Sequence, residues 1–102
     1  MSFRTEITSF ERHEKNIRYI RHKVFVEEQG IDPKLEWDDL DRQAHFVLAY
    51  NDSDIPIGTA RFFDNGKIGR MAVLPEYRHN GCGECILSTI IKWSQQHQLS
   101  EL

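Results

Sequence analysis

The sequence has 102 residues, which are enough for one compact domain, 1–102, and exclude two. Its 39% hydrophobic and 28% charged residues are typical of a globular protein and exclude an intrinsically disordered one. Thirteen basic and sixteen acidic residues leave a net charge of -3, and no long apolar run occurs, so we expect no nucleic-acid partner, no membrane association and a cytoplasmic location.

The first predicted element is an amphipathic helix over 10–28. Apolar residues recur there at helical spacing, and Gly30 tolerates the left-handed conformation in which helices often end. The acidic segment 31–42 follows, without the glycine and the ligand spacing of a calcium-binding loop. We interpret 31–42 as a solvated connection, with a divalent-metal site as the alternative.

Three strands are predicted over 44–50, 55–63 and 67–74, because apolar and β-branched residues there are separated by turn residues. Asn65 and Gly66 both tolerate positive φ, so they favour a tight hairpin between the second and third of these strands. The segment 44–74 is therefore expected to fold as an antiparallel meander.

A second helix is predicted over 82–97. Pro75 ends the third predicted strand, and apolar residues recur at helical spacing after residue 82. The apolar stripe of this helix is expected to lie on the sheet. The last residues, 99–102, have the character of a strand that is beginning.

The turn at 78–83 carries the main chemical signal of the sequence. A strand that leads into a glycine-rich turn and then a helix places backbone N–H groups at the positive end of the helix dipole, which suits a phosphate. Gly81 and Gly83 let the backbone approach an anion, and Arg78 adds a positive charge. Ile86 excludes a dinucleotide-binding fingerprint, and a P-loop is excluded because its Gly-Lys-Ser/Thr ending is absent. The alternative is that the glycines only form a strand-to-helix turn.

The pattern Arg78-x-x-Gly81-x-Gly83, between a strand and a helix, is similar to the acyl-CoA-binding signature of the GNAT superfamily of N-acetyltransferases. Segment 68–77 also resembles the fourth strand of GNAT proteins, and segment 20–30, together with Glu36, Asp38, Asp41 and Ala44-His45, resembles a subgroup of small bacterial GNAT proteins, so the resemblance covers nearly the whole chain. It implies an α/β (α+β) fold with a mixed, mainly antiparallel sheet flanked by helices. The patterns Arg21-x-x-Val24-Phe25 and Glu36-x-Asp38-x-x-Asp41 are also partly similar to acyl-homoserine-lactone synthases, whose fold is related.

The resemblance implies acetyl-CoA as the acyl donor and an amine, of a small molecule or a protein, as the acceptor. Backbone groups of the third predicted strand would then bind the pantetheine arm and the carbonyl, and N–H groups of the following loop would bind the pyrophosphate. The residues assigned to this cofactor site are Met71, Ala72, Val73, Arg78, His79, Asn80, Gly81, Cys82, Gly83 and Glu84.

In the implied reaction the amine attacks the thioester carbonyl directly, and a backbone N–H stabilises the oxyanion that forms. A base takes a proton from the incoming ammonium, and an acid protonates the departing thiolate. Glu28 and His45 are the candidate catalytic residues on the acceptor side. Each also has a structural interpretation, Glu28 as a cap or ion-pair partner of the first helix and His45 as a packing residue at the start of a strand.

GNAT proteins continue past the position of Leu102 with a fifth strand, a helix and further strands. We therefore expect a truncated domain in which the C-terminal strands and helix are missing and the acyl slot is incomplete. Weak or absent catalysis by 1–102 alone is the corresponding hypothesis. Uncovered apolar surface would favour aggregation, marginal stability or pairing with another copy in a homo-oligomer.

Two alternative functions remain open. Cys82 and Cys85 form a C-x-x-C pair at a predicted helix start, where the dipole could lower a thiol pKa and support redox chemistry or, with His79 and His97, zinc binding. The pair has no second set of ligands, so no metal is assigned. The other alternative is a non-catalytic acyl-CoA-binding or interaction module, or the remnant of an enzyme.

Overall fold

The computed structural model describes residues 2–36 and 38–97, in which helices flank a four-stranded antiparallel sheet. The strands, in the spatial order β1-β2-β3-β4, are β1 (Arg4–Ser9), β2 (His45–Tyr50), β3 (Pro56–Phe62) and β4 (Ile68–Val73). The helices are α1 (Glu14–Arg21), a π-helix (His22–Glu28), α2 (Pro33–Glu36), a 3-10 helix (Asp39–Gln43), a second 3-10 helix (Pro75–Tyr77) and α3 (Cys82–Gln96). The predicted α/β fold with a mainly antiparallel sheet is confirmed.

Strand β1 is not among the predicted strands. It pairs antiparallel with β2 along its whole length, from Arg4 opposite Tyr50 to Ser9 opposite His45. Its single large apolar residue, Ile7, gives only a weak alternating pattern, so the segment has little signal of its own. Pairing with the almost fully buried strand β2 decides its conformation.

The first predicted helix begins later than the sequence pattern suggests and is irregular. Phe10 is buried in a turn, and α1 begins only at Glu14. The π-helix then continues the chain from α1. Its backbone hydrogen bonds join residues five apart, and the spacing of apolar residues in the sequence does not distinguish this helix from an α-helix. Gly30, at φ 72°, ends this region in the left-handed conformation as predicted.

The three predicted strands are confirmed, but the hairpin between β3 and β4 has a different turn. Only Gly66 has positive φ, at 88°, and Asn65 does not. The Phe63 N–H donates to the Lys67 carbonyl at 3.0 Å, and the Gly66 N–H donates to the Phe63 carbonyl at 3.0 Å. The loop therefore has three residues and ends in one left-handed glycine, instead of two residues with both at positive φ.

Helix α3 lies on one face of the sheet, as its apolar stripe predicts. Its side chains that face the sheet are the buried Cys82, Ile86, Ile90 and Ser94. A side chain at Gly58 of β3 would come within 3.2 Å of the Cys82 Sγ, so this glycine permits the close approach. In the described ranges no helix is both long and apolar enough to span a membrane. The predicted strand at 99–102 lies outside those ranges.

The prediction of a solvated connection over 31–42 is correct for most of the described residues of this segment but wrong for two of its carboxylates. Glu36 and Asp41 are buried, with 2% and 3% exposure, and both accept hydrogen bonds from the fully buried guanidinium of Arg21 in α1. Arg61 of β3 binds Asp41 at 3.0 Å and Asp38 at 2.7 Å. The carboxylates thus neutralise arginines, and no cluster of three or more His, Cys, Asp or Glu within 2–36 and 38–97 is arranged to hold a metal.

The Arg21 ion pairs predict a large loss of stability when the guanidinium is removed. Arg21→Met leaves the carboxylates of Glu36 and Asp41 buried without their main cation, so the free energy of unfolding should fall by about 3–5 kcal/mol. Lys23→Met, in the adjoining π-helix, removes an exposed ion pair with Glu27 and a cation–π contact with Tyr19 and should cost less than about 1 kcal/mol. Urea unfolding followed by circular dichroism measures both, and equal losses would contradict the prediction.

Candidate acyl-CoA site

The chain leaves β4 and enters α3 through a short, sharply bent connection. After Val73 comes one 3-10 turn, Pro75–Tyr77, and then two left-handed residues, His79 at φ 63° and Gly81 at φ 86°. Gly81 suits this conformation because it has no side chain, whereas His79 adopts it against its usual preference. These two residues turn the chain so that α3 begins beside the end of β4.

The first turn of α3 offers backbone donors that the helix does not use. The first bond of the helix runs from the Cys85 N–H to the Gly81 carbonyl at 2.9 Å, so the N–H groups of Cys82, Gly83 and Glu84 have no acceptor within the helix. The side chain of the capping position cannot help, because that residue is Gly81. Unused donors at the positive end of a 15-residue helix favour an anion.

A cleft of about 340 Å³ lies beside this helix start and joins the loop to β4. Its lining residues are Val24, Gln29, Met71, Ala72, Val73, Arg78, His79 and Gly83. The structure therefore brings the strand residues and part of the loop that the sequence assigned to one cofactor site into one cleft. Of the other assigned residues, Asn80 is exposed and donates to the Arg78 carbonyl, Glu84 is exposed, and the Cys82 side chain points into the core.

Strand β4 is distorted where it borders the cleft. Thr59 pairs with Ala72 and Arg61 with Gly69, so two residues of β4, Arg70 and Met71, oppose one residue of β3. Arg70 has φ 47°, an unfavourable value for a residue with a side chain. A bulge of this kind takes backbone groups out of the strand ladder and makes them available to a ligand. Because β4 is last in the strand order, its outer edge is not paired with another described strand.

Glu28 lies at the edge of the same cleft, bound to the loop. Its two carboxylate oxygens accept hydrogen bonds from Nη1 and Nη2 of Arg78, each at 2.5 Å. The Nε of Arg78 also donates to the carbonyl of Val73 at 2.9 Å. The hydrogen bonds from Arg78 lower the pKa of Glu28 below its ordinary value. Glu28 therefore forms an ion pair, but its partner is Arg78 of the loop and not a residue of the first helix, as its structural interpretation had expected.

His45 lies at the opposite end of the sheet. It is opposite Phe62 on β3, which in turn pairs with Ile68 at the beginning of β4, whereas the cleft is at Val73, about 16 Å further along the strand. The His45 ring is 2.8 Å from Asp64 and packs 4.6 Å from the Trp93 ring. The structure does not bring His45 and Glu28 together, and the contacts of His45 are those of a packing residue.

The two cysteines do not have the environment of a reactive pair. Cys82 is 2% exposed, and burial raises the pKa of its thiol to about 11. The expected lowering of this pKa by the helix dipole is therefore not found, because the Cys82 side chain packs against Gly58 instead of facing solvent. Cys85 is partly exposed, and both thiols are free.

Comparison with known proteins decides the family. The model of the acetyltransferase (GNAT) family matches residues 8–102. The chain belongs to the GNAT family. It is 32% identical over 89 residues to the uncharacterized N-acetyltransferase YjcF of Bacillus subtilis (strain 168), a match that covers 84% of this chain. The match spans only 63% of the length of that GNAT relative.

Solved GNAT structures share the fold. A candidate N-acetyltransferase from Lactobacillus plantarum superposes with a TM-score of 0.83 at 27% identity, over 97% of this chain and 71% of that one. A predicted acetyltransferase from Clostridium acetobutylicum, solved with acetyl-CoA, gives a TM-score of 0.64 at 15% identity, over 98% of this chain and 78% of that one. At the latter identity the likeness concerns the fold alone.

Some residues of the site were not found by sequence reasoning. Gln29 lines the cleft from the end of the π-helix, and Arg70 forms the bulge of β4. Both lie within segments that resemble GNAT proteins, but the sequence assigned them no role, because that of Gln29 depends on how the π-helix packs on β4 and that of Arg70 on a backbone distortion. Glu36, next to Arg70, was assigned to the solvated loop although it is buried. The pattern Glu36-x-Asp38-x-x-Asp41 was noted in the sequence, but it does not show which of these carboxylates is buried.

The burial of Cys82 predicts that the two thiols react very differently. In native protein at neutral pH, a thiol reagent should modify Cys85 and leave Cys82 untouched, because Cys82 is buried and its thiolate is scarce below its raised pKa. Peptide mapping by mass spectrometry after iodoacetamide treatment, with urea-unfolded protein as the control, measures this. Rapid modification of Cys82 in folded protein would contradict the burial of its thiol.

Proposed function

We propose that this GNAT protein transfers an acetyl group from acetyl-CoA to an amine. The observation that carries the proposal is the cleft in which the uncapped start of α3, Arg78 and residues 71–73 meet. Membership of the GNAT family supports the reaction type. The Clostridium acetobutylicum acetyltransferase, which shares the fold, was solved with acetyl-CoA. The site and the family together therefore support acetyl-CoA as the donor.

The chain offers two kinds of contact to such a donor. The free N–H groups of 82–84 and the guanidinium of Arg78 would bind the pyrophosphate, whose charge the α3 dipole favours. The bulged edge of β4 at 71–73 would bind the pantetheine arm and the carbonyl through backbone groups. Both contacts depend on backbone geometry, so the residues Asn80 and Glu84 need contribute no side-chain contact.

The proposed chemistry needs no covalent intermediate on the chain. When bound, acetyl-CoA supplies an activated acyl group whose carbonyl is open to attack by an amine. A backbone N–H of the bulged strand, fixed in position by the sheet, would stabilise the developing oxyanion without reorganising. Glu28 and His45 remain predicted candidates for proton transfer, and Glu28 alone lies at the cleft.

Gly83→Asp tests the pyrophosphate site without weakening the helix. An acidic residue in the first turn of α3 is compatible with the helix dipole, and the space around Gly83 is open apart from the Met71 sulfur at 3.9 Å. A carboxylate there would repel the pyrophosphate, so the affinity for acetyl-CoA measured by calorimetry should fall by about tenfold or more.

Gly69→Asp is the matched control, since it adds the same charge to an open position at the far end of β4. Its acetyl-CoA affinity should stay within about twofold of the parent protein. If the parent protein does not bind acetyl-CoA, or if both variants weaken binding equally, the assignment of the loop is wrong.

Glu28→Gln tests the role of the Arg78 pair. Removing the carboxylate releases Arg78 for an anion and takes a negative charge from the cleft, so acetyl-CoA should bind more tightly, by roughly two- to fivefold. Because the pKa of Glu28 is lowered below 4.5, the carboxylate stays ionised and the gain should be constant between about pH 6 and 8. Calorimetry at several pH values measures it, and weaker binding would show instead that Glu28 positions Arg78 for the ligand.

A further inference from the structure

A second cleft, of about 370 Å³, adjoins the first and is built from the segment that was expected to be solvated. Its lining residues are Phe25, Gln29, Ile31, Leu35, Glu36, Arg70 and Met71. It shares Gln29 and Met71 with the cleft beside the loop, so the two cavities meet at the bulge of β4. A ligand in one cleft therefore lies next to a ligand in the other.

The walls of this second cleft are partly apolar. Phe25 of the π-helix, Met71 of β4 and the two side chains Ile31 and Leu35 supply the apolar part, and the polar part comes from Gln29, Glu36 and Arg70. Leu35 is 72% exposed and Ile31 is 36% exposed, so both lie at the mouth. A cavity of this size that combines apolar side chains with a few polar groups fits a small organic molecule.

The polar group that distinguishes the cleft is the carboxylate of Glu36. Its Oε1 accepts a hydrogen bond from the Nε of Arg21 at 2.6 Å, and the Nε of Arg70 lies 3.6 Å away. Its Oε2 is buried and has no hydrogen-bond partner among the described residues. A buried carboxylate oxygen without a donor is unfavourable, and such atoms are rare outside functional positions. Oε2 is thus suited to receive a donor from a ligand.

The charges around Glu36 limit what the ligand can be. Glu36 belongs to a balanced cluster of three arginines and three carboxylates, which are Arg21, Arg61, Arg70, Glu36, Asp38 and Asp41. The cluster has no excess negative charge that would attract a polycation.

We infer that the second cleft binds a primary monoamine with an apolar body, whose nitrogen donates to Oε2 of Glu36. The inference rests on the proposed function, since an amine is the acceptor there, and it names the residue that holds the amine and the class of amine. The apolar body would contact Phe25, Ile31 and Leu35. Polyamines and aminoglycosides, which carry several charges, are poor ligands of such a cleft.

The same contact accounts for proton removal. An N–H bond of the ammonium breaks, its proton passes to Oε2 of Glu36, and the electron pair stays on nitrogen. That pair then forms the bond to the acyl carbon, while the carbon–sulfur bond breaks and its electrons leave with the CoA sulfur. The nitrogen then loses its second proton, which is taken up by the departing thiolate, so that a neutral amide and a thiol result. Burial raises the pKa of Glu36, against the lowering by Arg21 and Arg70, which makes it a better proton acceptor than an exposed carboxylate.

Binding of 2-phenylethylamine, without acetyl-CoA, tests the inference by calorimetry. It should bind measurably, and 2-phenylethanol and spermidine should each bind at least about tenfold more weakly, the first because it has no charge and the second because it has three. Affinity for the amine should fall as the pH decreases, since protonation of Glu36 removes the charge that its nitrogen binds. Equal binding of all three compounds would overturn the inference.

Glu36→Gln should weaken binding of 2-phenylethylamine by about tenfold and abolish the dependence of that affinity on pH. The matched control is Glu27→Gln, which makes the same change at an exposed carboxylate of the π-helix that does not line the cleft, so amine affinity should be kept. Equal loss of binding in both variants would overturn the assignment of Glu36.

Because Glu36→Gln can fail to fold, a surface variant provides a second test. Leu35→Lys places a positive charge at the exposed mouth of the cleft and should reduce amine affinity by about fivefold or more, with stability retained. Leu87→Lys, which adds the same charge at an exposed apolar position on α3 that does not line the cleft, should have no effect. Unchanged amine affinity in Leu35→Lys would contradict the assignment of the mouth.

The outcomes separate this inference from the proposed function. Binding of acetyl-CoA without binding of the amine overturns the inference and leaves the proposed function standing. Binding of the amine at Glu36 without binding of acetyl-CoA overturns the proposed function and leaves the monoamine cleft. Both measurements use the same wild-type protein, so a folding defect cannot account for a difference between them.

Discussion

The guanidinium of Arg21, fully buried between α1 and the sheet, holds the candidate site in place. It binds the carboxylates of Glu36 and Asp41 and the backbone carbonyl of Glu36, and so fixes the segment between the π-helix and β2 onto the core. Arg61 and Arg70 bind the same segment from β3 and β4. One charge cluster therefore connects a helix, an irregular segment and two strands. Breaking it would release the wall of the second cleft as well as destabilise the fold, because each remaining charge would be buried without a partner.

The two clefts divide the expected chemistry between different kinds of structure. The cleft beside α3 is made of backbone: a helix start without a side-chain cap, a glycine at positive φ and a bulged strand. Such a site suits the constant part of a cofactor, and the same backbone arrangement can serve many proteins. The cleft beside Glu36 is made of side chains from the irregular segment 31–36, the π-helix and β4. A surface of that kind can change with the sequence, so under the proposed function it is the part that would select the acceptor.

The two clefts meet at the bulge in β4. Arg70 of the bulge has an unfavourable φ, and its side chain donates hydrogen bonds to the backbone carbonyl of Glu36 and to Asp38, which stabilise this conformation. Met71 then borders both cavities. On the other side of the cleft beside α3, the ion pair of Glu28 with Arg78 connects the end of the π-helix to the loop. Distortion of the strand and the charges around it are therefore parts of one arrangement.

The sequence by itself determined what local chemistry controls. It indicated strands β2, β3 and β4, helix α3, the left-handed Gly30 and the Arg78-x-x-Gly81-x-Gly83 loop, because glycines, prolines and apolar periodicity act over a few residues. Only the tertiary structure decided what depends on distant partners. Strand β1 exists because β2 pairs with it, and Glu36 is buried because Arg21 lies fifteen residues away in the chain and next to it in space. The separation of His45 from Glu28 also follows from the pairing of distant strands, which places His45 at the opposite end of the sheet from the cleft. Long-range pairing and the desolvation of charges have no signature in a local pattern, so the second cleft could be recognised only in the folded protein.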